Sequence, residues 1–138
     1  MGSDTSSLLK SIFGRNKVLI GVVHLLPLPG SPRYSYNMDS IVDRALNDAL
    51  AYYEGGMDGI IIENLGDAPY FPRRVGPETV SAMTYVIMHI KEHVDLPIGV
   101  NVLRNDAFAG LAIAYVCGGR FIRVNVLTEV MATDQGLI

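Results

Sequence analysis

Cysteine is nearly absent from this sequence: the 138 residues include only Cys117. A single cysteine excludes an internal disulfide and is typical of a protein from a reducing compartment. Cys117 lies in an apolar run with helical spacing. We therefore predict that its thiol is a buried packing group rather than a nucleophile.

Charged residues are also scarce, at 18% of the chain, and lysine and arginine form no cluster. With a net charge of −3, the sequence lacks the basic footprint of nucleic-acid-binding proteins, so no nucleic-acid partner is expected. The longest uncharged apolar stretch, residues 107–119, is too short to cross a bilayer, and no signal-peptide pattern is present. With 49% hydrophobic residues, the chain is predicted to be a soluble, cytoplasmic, globular protein.

The first ordered pattern is an apolar segment that ends on a polar residue. Residues 18–23 are apolar and predict a buried strand, which ends at His24. Prolines at positions 27, 29 and 32 follow, and proline removes the backbone donor that a strand needs. The segment therefore predicts a short strand that delivers one titratable side chain to the edge of a sheet.

Three further strands follow, each preceded by a helix. Apolar residues at helical spacing predict a helix over residues 38–53 with Asn37 as its N-cap, and further helices begin at Pro77 and cover residues 107–117. Strands are predicted at residues 59–62, 98–103 and 121–126, and residues 127–138 are predicted as a loop. Strand–helix units of this length are typical of a parallel α/β sheet with right-handed crossovers.

The number of these units predicts the architecture. Four strands and three helices fill the chain, whereas a complete (β/α) barrel of the TIM type needs about 250 residues. We therefore predict a single domain, residues 1–138, that forms the N-terminal half of an eight-stranded barrel. Residues 1–16 are an N-terminal extension, and its apolar side chains predict a short helix across the bottom of the sheet.

Polar side chains gather where the predicted strands end, which is where ligands bind in parallel α/β folds. They are His24, Glu63, Asn64, Asn101, Arg104, Arg123 and Asn125. Side-chain alternation assigns one set of residues to the face that packs on helices, namely Val100, Val102, Ile122, Val124 and Val126. It assigns another set to the opposite face, namely Gly99, Asn101, Arg123 and Asn125.

Two interpretations of these polar residues remain open. In the first, Arg123 forms a structural ion pair with Glu63, and the asparagines bond to each other. In the second, Arg123 and Arg104 clamp a small anionic ligand, because a guanidinium binds carboxylate or phosphate in a bidentate manner. The remaining candidate ligand-binding residues are then Asn64, Asp67, Asn101, Asn105 and Asn125.

His24 and Glu63 end successive strands, which are neighbours in most sheets. They are candidate catalytic residues, as a general base and its partner, and Asp134 is a third candidate that reaches the same edge from the last loop. Alternatively, His24 is a satisfied hydrogen-bonding group, Asp134 is a helix N-cap, or His24, Glu63 and Asp67 hold a metal ion. The sequence has neither a His-x-His nor a cysteine-rich spacing, so no metal site is predicted, and it identifies no cofactor.

Several segments together resemble the BtpA family. They are residues 20–32 (IGVVHLLPLPGSP), 58–64 (DGIIIEN), 67–69 (DAP), 99–106 (GVNVLRND), 121–128 (FIRVNVLT) and 132–138 (ATDQGLI). The resemblance runs from about Lys17 to the last residue, and it implies an α/β barrel of the phosphate-binding type in a chain about twice as long. One departure is Glu129, which stands where a glycine is expected.

The resemblance also implies a function. The family is named for a cyanobacterial factor needed for accumulation of photosystem I, so the implied role is photosystem I biogenesis or stabilisation, with peripheral thylakoid association in a phototrophic host. Relatives in non-photosynthetic bacteria and archaea favour the alternative of a metabolic barrel enzyme acting on a small phosphorylated or carboxylated metabolite. A third hypothesis is a truncated half without activity of its own, whose two exposed sheet edges predict a homo-oligomer. The resemblance assigns no catalytic residues.

Overall fold

The computed structural model describes residues 5–138; residues 1–4 of the predicted N-terminal extension lie outside this range. The α-helices are α1 (Thr5–Phe13), α2 (Met38–Glu54), α3 (Pro77–Lys91) and α4 (Ala107–Cys117). The strands are β1 (Ile20–His24), β2 (Gly59–Glu63), β3 (Ile98–Asn101), β4 (Phe121–Ile122), β5 (Ala132–Thr133) and β6 (Gly136–Leu137). A 3₁₀ turn, Leu65–Asp67, follows β2.

The first four strands form one parallel sheet in the order β1–β2–β3–β4. Its register pairs His24 with Glu63 and Glu63 with Asn101, so these three residues form one row across the sheet. A helix joins each strand of this sheet to the next, as the strand–helix pattern predicts. The predicted parallel α/β fold is therefore confirmed.

Local sequence determines where the helices begin and end. The side chain of Asn37 accepts a hydrogen bond from the amide three residues later and caps α2, and Asp106 caps α4 in the same way. α3 begins at Pro77, where a missing N–H costs nothing because first-turn amides have no partner within the helix. α4 is followed by Gly118, which has the left-handed φ of +65° that commonly ends helices.

The core lies between the sheet and the three helices α2, α3 and α4. Val23, Ile62 and Val100 point from the sheet toward these helices and are fully buried. Val102 and Ile122 belong to the same apolar cluster, as the alternation predicts. Burial of these branched side chains between two layers is the main driving force for this arrangement. Cys117 is buried in the same cluster, as predicted, and burial raises the pKa of its thiol.

We call the opposite side of the sheet its open face. At the amino end of that side, α1 places Phe13 edge-on against Phe121, with the ring centroids 5.5 Å apart. Phe13 also lies against Gly59, because a Cβ on that glycine would be 2.7 Å from the ring. The short helix expected in the N-terminal extension therefore packs at the bottom of the sheet.

β4 is shorter than the strand predicted over residues 121–126, because it ends at Ile122. The Arg123 amide still donates to the Val100 carbonyl of β3 at 3.0 Å, but at Val126 the backbone is paired by a side chain. Asn105 Nδ2 donates to the Val126 carbonyl, 3.0 Å away, and Asn105 Oδ1 accepts from the Val126 amide at 2.8 Å. A period-two hydrophobic pattern cannot reveal that a side chain, and not a neighbouring strand, forms these backbone hydrogen bonds.

Residues 127–138, predicted as a loop, contain the antiparallel hairpin of β5 and β6. Asp134 lies in the turn of this hairpin, so the alternative in which it caps a helix is wrong. The hydroxyl of Thr133 donates to the Gly136 carbonyl across the turn. Nearby, Glu129 has a φ of +69°, in the left-handed region that glycine adopts most easily, which gives a physical reason for expecting glycine at this position.

Helix α4 has no charged side chain along its length. Its outer face exposes several large apolar residues, namely Phe108, Leu111, Tyr115 and Val116. The side of α4 that faces away from the sheet is therefore as apolar as the side that packs on it. Within residues 5–138, no helix is both long and apolar enough to span a membrane.

Two buried glycines should respond in opposite directions to alanine. A Cβ on Gly21 would lie 2.5 Å from the ring of Tyr52, whose hydroxyl donates to the Val22 carbonyl. Gly21→Ala should therefore lower the free energy of unfolding by about 1–3 kcal/mol, because the ring must move. Gly110→Ala should raise it by about 0.5–1 kcal/mol, since the new Cβ finds its nearest neighbour at 3.9 Å and alanine favours a helix. Urea denaturation measures both changes, and effects of the same sign would contradict the packing described.

Candidate functional site

A buried carboxylate organises the carboxyl edge of the sheet. Glu63, the last residue of β2, is 6% exposed. Nε2 of His24 lies 3.2 Å from its Oε2, and Arg123 Nη1 donates to its Oε1 at 3.1 Å. Asn101 Nδ2 also donates to Oε1. The carboxylate thus gathers one side chain each from β1, β3 and the segment after β4.

These contacts follow from the register of the strands. Because His24 and Asn101 flank Glu63 directly in the sheet, their side chains meet its carboxylate on the open face. The predicted ion pair between Arg123 and Glu63 is present, and the side chains of His24 and Arg123 stay about half exposed. Asn101 bonds to Glu63 and not to another asparagine, because the carboxylate is its immediate neighbour. Its Oδ1 is buried and finds no partner within residues 5–138.

Asn64 and Asp67, both candidate ligand-binding residues, hold the loops together. Asn64 Oδ1 accepts from the Leu103 amide at 2.7 Å, and Asn64 Nδ2 donates to Asp67 Oδ2 at 2.9 Å. Asp67 Oδ1 accepts from the Leu28 amide at 2.7 Å. Burial raises the pKa of the Asp67 carboxyl, and this effect outweighs the two hydrogen bonds and the charge of Arg33, which lower it.

Arg104 is a buried cation without a carboxylate partner among the described residues. Its side chain lies in the loop after β3 and is 7% exposed. One Nη donates to the Gln135 carbonyl, while Nε is buried and unpartnered within residues 5–138. The guanidinium lines a cavity of about 250 Å³ together with two other predicted site residues, Asn125 and Asp134. The structure therefore brings Arg104, Asn125 and Asp134 together beside the hairpin.

Asn105 does not line that cavity. Its side chain is occupied by both backbone groups of Val126, as described above. It also borders a separate groove formed with Arg74 and Phe108. In this position Asn105 fixes the course of the chain after β4.

Sequence reasoning missed Tyr70 and Gln135. Gln135 Oε1 accepts from the Tyr70 amide at 2.9 Å, and the Tyr70 hydroxyl donates to the Leu65 carbonyl. Burial raises the pKa of the Tyr70 phenol, and the nearby carboxylates of Glu63 and Asp67 raise it further. An aromatic residue inside the proline-bounded loop of residues 69–72 is the signal that would have identified it.

The arrangement supports anion binding and proton transfer more readily than metal binding. Within residues 5–138, no three His, Cys, Asp or Glu side chains are placed to hold a metal ion together. Glu63 instead receives only nitrogen groups. An imidazole held against a buried carboxylate is a common arrangement for a general base, and guanidinium groups are suited to carboxylate or phosphate.

Comparison with known protein families identifies a family for most of the chain. The family model described as the BtpA family matches residues 15–138. The chain belongs to the BtpA family. The match includes every predicted site residue, from His24 to Asp134. No solved structure shows significant similarity to the chain.

Curated relatives of this BtpA-family chain come from archaea and bacteria. An uncharacterized protein of Pyrococcus horikoshii is 56% identical over 89% of this chain and 47% of its own length. The photosystem I biogenesis protein BtpA of Synechocystis is 55% identical over 91% of this chain and 44% of its own. The putative sgc region protein SgcQ of Escherichia coli is 35% identical over 95% of this chain and 48% of its own. The chain spans about half the length of the curated relatives it matches.

The raised pKa of Asp67 predicts a pH-dependent contribution to stability. The folded chain holds this proton more tightly than the unfolded chain, in which the pKa is near 3.8. As pH rises from that value through the raised folded pKa, Asp67 should lower the free energy of unfolding, by about 1.4 kcal/mol for each unit of the shift. The difference in unfolding free energy between wild type and Asp67→Asn should therefore decrease over this range.

Urea denaturation at a series of pH values measures this difference. Asp43→Asn is the matched control, because Asp43 is an exposed carboxylate on α2. Its difference from wild type should stay nearly constant. A difference for Asp67→Asn that grows with pH would show that hydrogen bonding, not burial, dominates at Asp67.

Proposed function

We propose that this chain supplies the anion-binding and acid–base residues of a small-molecule site at the carboxyl edge of its sheet. The observation that carries the proposal is Arg104, a buried guanidinium with no carboxylate partner in the described chain. Buried charges in proteins are normally paired, because an isolated ion in a low-dielectric interior is costly. A phosphate or carboxylate group in the adjoining cavity would provide the missing partner.

Proton transfer is assigned to His24 and Glu63. The carboxylate of Glu63 lies against Nε2 of His24 and holds the imidazole in one orientation. No described residue bonds to Nδ1, so this nitrogen is the one that takes or gives a proton at the half-exposed edge. Arg123 shares the carboxylate and keeps positive charge beside it. These roles favour a metabolic enzyme that acts on a small phosphorylated or carboxylated compound.

The site belongs, on this proposal, to the first half of a (β/α)₈ barrel. A parallel sheet of four consecutive strands with its crossover helices on one side matches half of such a wall. A full barrel needs about 250 residues, which agrees with relatives about twice as long as this chain. In such a barrel, the other four strands would place their carboxyl ends around the same open face and complete the site.

The second candidate function is a role in photosystem I biogenesis. It is favoured by the likeness to the Synechocystis protein that carries this name. Relatives from non-photosynthetic archaea are as similar to this chain, which argues against a role limited to photosynthesis. In a phototrophic host, the two proposals are compatible if photosystem assembly depends on the bound metabolite.

The anion proposal predicts a specific response to Arg104→Met. Inorganic phosphate, or a dicarboxylate such as malonate, should raise the melting temperature of the 138-residue chain and bind measurably in calorimetry. Arg104→Met should weaken this binding at least about tenfold, because one charged hydrogen bond contributes about 1.5–3 kcal/mol. Without anion, the variant should be nearly as stable as wild type, since the substitution also removes an unpaired buried charge.

Arg120→Met is the control, because Arg120 is exposed and lies outside the cavity. It should bind phosphate as wild type does. Equal binding by the Arg104 and Arg120 variants would contradict the proposal, as would the absence of any response of wild type to either class of anion.

A further inference from the structure

A second cavity, of about 270 Å³, also borders Tyr70, which lines the Arg104 cavity as well. It is formed by the loops that follow β1 and β2 and by the start of α3. The two cavities share only Tyr70 and Leu103 in their linings. The second cavity therefore presents different chemistry to a ligand, and a ligand bound there would not depend on the anion site.

Most of its lining is apolar and conformationally restricted. Three prolines contribute to the walls, and Phe71, Val75 and Leu103 complete the apolar surface. Proline rings and aromatic rings present flat faces and lose little side-chain entropy when a ligand binds. Walls of this kind favour a flat ring over a flexible chain.

Among the polar groups of the lining, Ser31 and Asp67 still have hydrogen-bonding capacity. The hydroxyl of Ser31 is buried and has no partner within residues 5–138. Its position is fixed by the turn in which the Ser31 amide donates to the Leu28 carbonyl at 3.0 Å. Asp67 is the second group, with a buried carboxyl whose two known partners leave lone pairs unused.

The charges of the lining exclude several ligand classes. No lysine or arginine lines this cavity, and Asp67 would repel a phosphate or carboxylate. A purely aliphatic ligand would leave Ser31 and Asp67 unpaired in an apolar environment, which costs free energy. A ligand that satisfies both groups and matches the walls combines a flat apolar body with an N–H or O–H donor and an acceptor.

We propose that this cavity binds a flat, uncharged heterocyclic ring of the nucleobase type. The ring lies between the prolines and Phe71, an N–H group donates to Asp67, and a ring nitrogen or carbonyl oxygen accepts from the Ser31 hydroxyl. Such a ring satisfies both polar groups and matches the walls. Adenine and cytosine are suitable probes because both carry an exocyclic amine and ring acceptors.

Calorimetric titration of the 138-residue chain with each base tests the proposal. Both should bind, and toluene, which matches the walls but lacks polar groups, should bind at least about tenfold more weakly, since each satisfied hydrogen bond contributes about 0.5–1.5 kcal/mol. Ser31→Ala should weaken binding of the bases by about twofold to tenfold and leave binding of toluene unchanged. Phe71→Ala should weaken both by about threefold to tenfold, because it removes one aromatic wall.

Phe108→Ala is the control, because Phe108 is also an exposed phenylalanine but lies outside this cavity. It should bind the bases as wild type does. The proposal would be overturned if neither base bound, or if both bases bound the Ser31→Ala and Phe71→Ala variants as tightly as they bind wild type. It would also be overturned if benzylamine, a cation, bound with higher affinity than the bases and displaced them. None of these bears on phosphate binding by Arg104, so the two proposals fail or succeed separately.

Discussion

The carboxylate of Glu63 is the interaction on which the carboxyl edge of the sheet depends. It is buried at the carboxyl end of β2, one of the two inner strands of the sheet. Nitrogen atoms of His24, Asn101 and Arg123, from three other segments, contact it. A shift of β2 by one residue would replace it with Ile62 or Asn64 and would turn every apolar side chain of the strand to the wrong face. The core and the polar edge therefore require the same register, and each reinforces the other.

Much of this arrangement is predictable from short-range patterns. The bounds of α4 and the parallel sheet follow from hydrophobic periodicity and caps. Alternation puts Arg123 on the face that Asn101 shares, but it leaves open whether Arg123 pairs with Glu63, as it does, or binds a ligand instead. The early end of β4, the hairpin after it and the place of Tyr70 do not follow from such patterns. They depend on hydrogen bonds between residues far apart in the chain, in which Asn105 donates to Val126 and Gln135 accepts from Tyr70, and no local pattern encodes these bonds.

Two buried groups of opposite charge line neighbouring cavities at this edge, and Tyr70 lines both cavities. Arg104 is a cation without a carboxylate ion pair among residues 5–138, and Asp67 is a buried acid among prolines. The segments that carry the family resemblance are the same ones that form this edge, while the helices behind the sheet contribute few of its motifs. The resemblance thus reflects the lining of the edge more than the packing of the core.

Asp106 connects two successive strand–helix units through one side chain. Its Oδ1 accepts from the Ala109 amide at the start of α4, and its Oδ2 accepts from the Val75 amide just before α3. Neither helix start can open without breaking a bond to the same carboxylate. We therefore expect the amides of Val75 and Ala109, at the starts of α3 and α4, to be protected together in native-state hydrogen exchange.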